Sequence, residues 1–161
     1  MAAPRESGGN QGDGLIRWRL AAFDDLTARE VHDLLRLRAE VFVVEQACAF
    51  QDVDGADPGA WHLLGSRGAE LIAYSRLIPA GIKFAEASIG RVVTSPVSRG
   101  NGFGHELMRE SLARADKLWP GQPIRIGAQQ RLERFYNGYG FVKASEPYDE
   151  DGIMHIEMVK G

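Results

Sequence analysis

The stretch that most limits what this chain can fold into is Arg99-Gly100-Asn101-Gly102-Phe103-Gly104, three alternating glycines behind an arginine. Ala87 to Thr94 before it reads as a valine-rich strand, stopped by Pro96. After it, Phe103, Leu107, Leu112, Ala115 and Leu118 recur at helical spacing, predicting a helix over Gly102 to Leu118 that ends at Pro120-Gly121. Glycines let a backbone approach a ligand closely and take positive φ. A helix start presents unpaired N–H groups and a partial positive charge, both suited to an anion. Arg99 adds a full charge, so the segment reads as a phosphate-binding turn. The plainer alternative is a glycine-rich connection with no ligand.

Two familiar phosphate motifs do not fit. A P-loop needs Gly-Lys-Ser or Gly-Lys-Thr at the helix start, and neither is present. A dinucleotide fingerprint beginning at Gly100 needs a third glycine where His105 stands, and one beginning at Gly102 needs it at Leu107.

Around this turn the pattern is β, α, three strands, α, β, α, β, β. Leu15 to Ala21 alternates as a first strand, and Thr27 and Glu30 have capping-box spacing for a helix carrying Val31, Leu34, Leu35, Leu37, Val41 and Phe42 as its apolar stripe. Trp61–Leu64 and Leu71–Ile78 read as a hairpin turning near Arg67-Gly68. Pro123–Gly127 is a strand, Gln129–Gly138 a short helix, and Phe141–Ala144 and Ile153–Val159 are closing strands. Such an order excludes an all-parallel doubly wound sheet and predicts an α/β (α+β) domain with a mixed central sheet flanked by helices. Residues 1–14 read as a disordered leader and residues 15–161 as a single domain, a normal size for one core.

Composition narrows the function classes. A net charge of −3 argues against nucleic acid as the main partner. Cys48 is the one cysteine, so neither an internal disulfide nor a cysteine-based zinc site can form, and a reducing cytoplasm is the expected setting. No apolar run is long enough for a bilayer, and no membrane partner or metal is expected. Asp52-Val53-Asp54-Gly55-Ala56-Asp57 has the acids of a calcium loop. Its glycine is fourth rather than sixth, however, and Leu63 stands where the final glutamate belongs. That loop is expected either to overhang a cleft or to form a surface turn.

Arg99-x-x-Gly102-x-Gly104 after a valine-rich strand resembles the acetyl-CoA signature of the GNAT N-acetyltransferase superfamily. Arg134-Phe135-Tyr136-Asn137-Gly138-Tyr139-Gly140-Phe141 resembles that superfamily's Phe-Tyr-x-x-x-Gly-Phe segment. The segments 38–46, 52–54 and 150–155 look like its ElaA-like subgroup, so the resemblance runs from about Leu15 to Lys160. It implies the GNAT fold, acetyl-CoA as cosubstrate, and a small-molecule or peptide amine as acceptor. Monomer and homodimer stay open.

Carried over residue by residue, the resemblance implies cofactor contacts at Val92, Val93 and Thr94, with pyrophosphate held by Arg99, Gly100, Asn101, Gly102, Phe103 and Gly104. The Val92 N–H would stabilise the oxyanion, and Tyr136 would act as general acid toward the thiolate. Gln129, two helical turns before Tyr136, would share its face and touch the cofactor. The residues alone also allow Tyr136 as an ordinary core-edge aromatic. Glu45, Glu86, His62 and His155 are the candidates for the base that deprotonates the amine. The bland alternatives are solvated carboxylates and structural histidines. Direct acetyl transfer is the leading function, and a non-catalytic acyl-CoA-binding sensor or regulatory module is the alternative.

Overall fold

A computed structural model of the chain describes residues 15–161, so the expected leader over residues 1–14 lies outside the described residues. The described chain builds one eight-stranded mixed sheet with three α-helices. Its elements are β1 (Arg17–Ala22), α1 (Ala28–Arg38), β2 (Trp61–Arg67), β3 (Glu70–Ile78), β4 (Ala87–Thr94) and α2 (Phe103–Leu118). They continue with β5 (Ile124–Gln129), α3 (Glu133–Asn137), β6 (Val142–Lys143), β7 (Tyr148–Glu150) and β8 (Ile153–Lys160). The strand order is β1-β2-β3-β4-β5-β8-β6, with β7 also on β8. All pairings are antiparallel except β4 with β5.

Helices cover both faces because successive strand side chains point to opposite sides. Leu63 and Ala73 pack in one cluster with Leu107, Met108 and Ala115 of α2. Their sequence neighbours Leu64 and Tyr74 pack in another with Leu34 and Leu37 of α1. The capping box forms as predicted: Glu30 N–H donates to Thr27 Oγ1 at 3.1 Å, and Thr27 N–H donates to Glu30 Oε1 at 2.9 Å. A cap of this kind contributes about 1 kcal/mol. Beyond Arg38 the helix widens over Ala39–Glu45, where Gln46 N–H reaches Val41 O and Cys48 N–H reaches Val43 O. These i→i−5 bonds are those of a π-helical segment.

Two details depart from expectation. Gln129 is not helical: it is the last residue of β5, paired with His155, and only a 3₁₀ turn over Gln130–Leu132 separates it from the five-residue α3. Strand pairing with β8 outweighs the local helical pattern, so Gln129 and Tyr136 share no helix face. The closing strand β8 alternates, so Met154, Ile156 and Met158 share one face; Ile156 and Met158 are fully buried there, but Met154 is 44% exposed, because the core stripe ends one step early.

The sheet is not uniformly paired. Tyr74 pairs with Val93 and Arg76 with Gly90, so the single residue Ser75 of β3 faces both Arg91 and Val92 of β4. This is a β-bulge, and it bends the strand that carries it. Arg91 takes φ +49° there, a left-handed conformation that non-glycine residues rarely adopt. On its other edge β4 is in register with β5 only at Ala87–Ile124 and Ser88–Arg125. Past those two rungs the parallel strands part.

Candidate active site

Where β4 and β5 part there is a cleft of about 410 Å³. Gly90, Arg91 and Val92 line it from β4, Gly127 and Gln129 from β5, and Tyr136 from α3. Tyr136 is 8% exposed, stacked on Phe135 with centroids 5.2 Å apart and set edge-on to Phe141 at 6.0 Å. Burial pushes its phenol up to about 12, so it keeps its proton at neutral pH. Gln46, at the end of the π-helical segment, faces Gln129 across the cleft, with Gln129 Nε2 3.5 Å from Gln46 Oε1. Cys48 also lines the cleft, and its thiol donates to Asp151 O at 3.2 Å.

The glycine turn has the predicted geometry. Gly100 and Gly102 sit at φ +85° and +74°, and the space beside Gly100, Gly102 and Gly104 is open to 4 Å. Gly102 caps the 16-residue α2 without any side-chain bond to its first turn, which leaves the N–H groups there for solvent or an anion. Asn101 Nδ2 donates to Ser98 O and steadies the turn. Unstrained glycines, free amides and open space fit a pyrophosphate. Arg99 stands at the turn, ion-paired to Glu45 at 2.7 Å with both side chains about two-fifths exposed.

The four base candidates fall in four different environments. His155 lines the cleft, its Nδ1 2.8 Å from Ile153 O and its Nε2 3.2 Å from Glu150. His62 is fully buried between Tyr74 Oη at 2.7 Å and Asp57 O at 2.9 Å, and burial pushes its pKa down. It lines not this cleft but a smaller apolar pocket beside α1. Glu86 bonds Arg125, which holds its carboxyl below the usual range, and it does not line the cleft. Glu45 is the partner of Arg99. Val93 and Thr94 follow Val92 along β4, with Val93 buried against α1.

Sequence reasoning missed one polar cluster. Three arginines and three aspartates close a ring. Arg38 bonds Asp52 (2.9 Å), Asp52 pairs with Arg91 (2.8 Å), and Arg91 with Asp54 (3.2 Å). Asp54 pairs with Arg76 (2.8 Å), Arg76 with Asp57 (3.0 Å), and Asp57 with Arg38 (2.8 Å). Arg38 and Arg76 are fully buried. Burial opposes the charges of Asp54 and Asp57, yet hydrogen bonds from Arg76 and Arg38 outweigh it and hold both carboxyls below the usual range. The loop over 52–57 lies at the surface, with Val53, Asp54 and Gly55 exposed, and reaches the cleft through Asp54. Its carboxylates are spent on arginines 14 to 39 residues away, a separation that leaves no local signal.

Both the sequence and the fold of this chain match known proteins. The family model described as "Acetyltransferase (GNAT) domain" matches residues 39–161. This chain belongs to the GNAT acetyltransferase family. Among its relatives, the Escherichia coli protein ElaA is 39% identical over 148 residues, 91% of this chain and 97% of that one. The crystal structure of E. coli ElaA superposes with a TM-score of 0.86 over 91% of this chain and 100% of that one. An acyl-CoA N-acyltransferase from Pseudomonas aeruginosa is 43% identical, with a TM-score of 0.87 over 91% and 99% of the two chains. A GNAT acetyltransferase of Elizabethkingia anophelis, solved with acetyl-CoA bound, shares the fold at 16% identity and a TM-score of 0.61, covering 92% and 98%. Among the described residues no helix is long and apolar enough to cross a membrane.

Proposed function

We propose that this GNAT protein is a cytoplasmic N-acetyltransferase that moves an acetyl group from acetyl-CoA to a primary amine by direct attack on the thioester. The observation that carries the reading is one continuous arrangement. Val92 and Tyr136 face a shared cleft, and β4 leads from it into an open, anion-suited glycine turn. The E. anophelis neighbour of the same fold holds acetyl-CoA.

When bound, acetyl-CoA supplies the activated acyl group. The amides of Gly100 to Gly104, with Asn101 and Arg99, hold the pyrophosphate by charge and hydrogen bonds. Val92, Val93 and Thr94 offer strand-edge backbone groups to the amide-bearing arm, as an added strand would use them. The Val92 N–H stabilises charge growing on the carbonyl oxygen, and Gln129 supports the cofactor from β5. Tyr136 donates its hydroxyl hydrogen to the departing sulfur. A thiol of ordinary pKa, about 8.5, is a stronger acid than this phenol. Tyr136 therefore stabilises the thiolate by a hydrogen bond more than by giving up its proton. His155 alone of the four base candidates both lines the cleft and offers an imidazole, so it accepts the amine proton at Nε2, and Glu150 faces the imidazolium that results.

The test is calorimetric titration with acetyl-CoA, followed by an amine panel read by thiol release. Saturable binding with amine-dependent release supports the reading. Binding with no release from any amine class turns it into an acyl-CoA sensor, and no binding at millimolar acetyl-CoA by folded protein overturns it.

A further inference from the structure

The bulge at Arg91 and the ring of six charges meet in one residue. Of the three non-glycine residues described at positive φ, Ala47, Arg91 and Asp151, only Arg91 lies within a strand. A left-handed conformation of this kind costs about 1–2 kcal/mol and persists only where its surroundings enforce it. The guanidinium of Arg91 supplies that enforcement. Its Nε lies 2.8 Å from Asp52 Oδ1, its Nη2 donates to Asp52 O at 3.0 Å and to Asp54 Oδ2 at 3.2 Å, and its Cζ lies 5.4 Å over the Phe50 ring. Neither aspartate is free to follow Arg91 elsewhere. Arg38 grips both the carboxylate and the carbonyl of Asp52, and Arg76 holds both oxygens of Asp54. Asp57 ties these two arginines together. Arg38 comes from the end of α1 and Arg76 from β3. The ring therefore fastens the bulge to two elements that do not line the cleft.

We infer that the Arg38–Asp52–Arg91–Asp54–Arg76–Asp57 ring is a positioning device: it holds the β4 bulge and so aims the Val92 N–H at the acyl carbonyl, with Arg91 as its contact point. The inference rests on the acetyl-CoA reading. The ring carries no net charge, three arginines against three aspartates, so it adds direction rather than field. Arg91 is the one ring member on β4, and its side chain is only 16% exposed. The other five stay paired without it, since Asp52 keeps Arg38 and Asp54 keeps Arg76.

The experiment is infrared spectroscopy of carbonyl-labelled acetyl-CoA bound to the full chain, with coenzyme A affinity measured alongside by calorimetry. In wild type the thioester carbonyl stretch moves to lower frequency on binding. In Arg91→Met that shift is lost, while coenzyme A binding, held by the distant glycine turn, stays within about twofold. Arg91→Gly retains most of the shift, because glycine takes positive φ without strain. A merely structural role for Arg91 would not separate methionine from glycine in this order. An unchanged shift in Arg91→Met, or equal loss in both variants, overturns the inference and leaves the acyltransferase reading standing. If Arg91→Met does not fold, Asp54→Asn, on the exposed side of the ring, carries the same test: a diminished shift with intact coenzyme A affinity supports the device and an undiminished one overturns it. Wild type that fails to bind acetyl-CoA defeats the underlying reading itself.

Discussion

The Asp52–Asp57 loop and the Arg99–Gly104 turn are both short, polar and glycine-bearing, and both adjoin β4, the loop through Arg91 and the turn after the strand's end, yet they are opposites in hydrogen bonding. In the loop every carboxylate meets an arginine, two of them fully buried, and the charges cancel around a closed ring. In the turn the glycines stand beside open space, the helix start has no side-chain cap, and the one cation lies on the surface. Polar groups that satisfy one another hold geometry. Polar groups left waiting recognise something else. The contrast predicts that damage to the loop registers first in stability, and damage to the turn first in ligand affinity.

The largest effect expected is at Asp57, which serves two buried arginines at once. Asp57→Ala leaves Arg38 and Arg76 short of a partner, and breaking a buried pair costs about 3–5 kcal/mol. At about 2–4 °C per kcal/mol for a domain of this size, the melting temperature falls by roughly 6–20 °C in a thermal scan. A drop under a degree or two would show that the ring contributes nothing. The pH dependence follows from the shifts. Asp54 and Asp57 have depressed carboxyls, so their stabilisation is full above the unfolded value near 3.9 and is lost as pH falls below it. His62 has a depressed imidazole, so the unfolded chain takes up its proton first, and stability already slips as pH falls through about 6.5. Denaturant melts from pH 8 to pH 3 should show both steps. His62→Gln should remove the upper one alone.

Next in size is Gly102→Glu. A side chain at φ +74° is strained, and a carboxylate at the helix start repels phosphate. Acetyl-CoA affinity should fall by at least about 100-fold, equivalent to about 2.7 kcal/mol, while the melting temperature changes far less than in Asp57→Ala. Equal losses of stability at the two sites would erase the comparison. Tyr136→Phe belongs with the turn rather than the loop. It keeps the stacking on Phe135, removes the hydroxyl, and, as loss of a hydrogen bond to a charged group, should lower kcat by about 10- to 100-fold with little change in KM for acetyl-CoA. Loss of KM with kcat intact would make Tyr136 a binding aromatic.

How much of this was readable in the chain depended on the distance over which each feature is made. The turn, the capping box and the hairpin were legible because their causes lie within a few residues: glycine's φ freedom, the Thr27–Glu30 spacing, the Arg67-Gly68 break. Gln129 was placed on a helix because local pattern favours it, whereas its conformation is set by His155, far along the chain. The bulge at Arg91 was invisible for the same reason, whereas the three-rung β7 to β8 hairpin around Gly152 is local but its first strand is only three residues long. Arg38, at the end of α1, is fully buried. Nothing in its neighbourhood announces that Asp52 and Asp57 will fold back over it.

The smallest effect falls where the two regions touch in kind: an ion pair like those of the ring, but set on the surface of the turn. Arg99 and Glu45 are 2.7 Å apart with side chains 43% and 40% exposed, and such a pair is worth about 0.2–1 kcal/mol. Glu45 lies on the π-helical segment, so its carboxylate holds Arg99 by the same charge that a pyrophosphate would use. Releasing it in Glu45→Gln should free Arg99 and tighten acetyl-CoA binding by about 1.4- to 5-fold, an effect that fades as salt screens both partners. Arg99→Ala should weaken binding, and in that background Glu45→Gln should do nothing. Weaker binding in Glu45→Gln would mean that the carboxylate orients Arg99 toward the phosphate rather than competing for it, and would place this surface pair with the ring as a positioning contact.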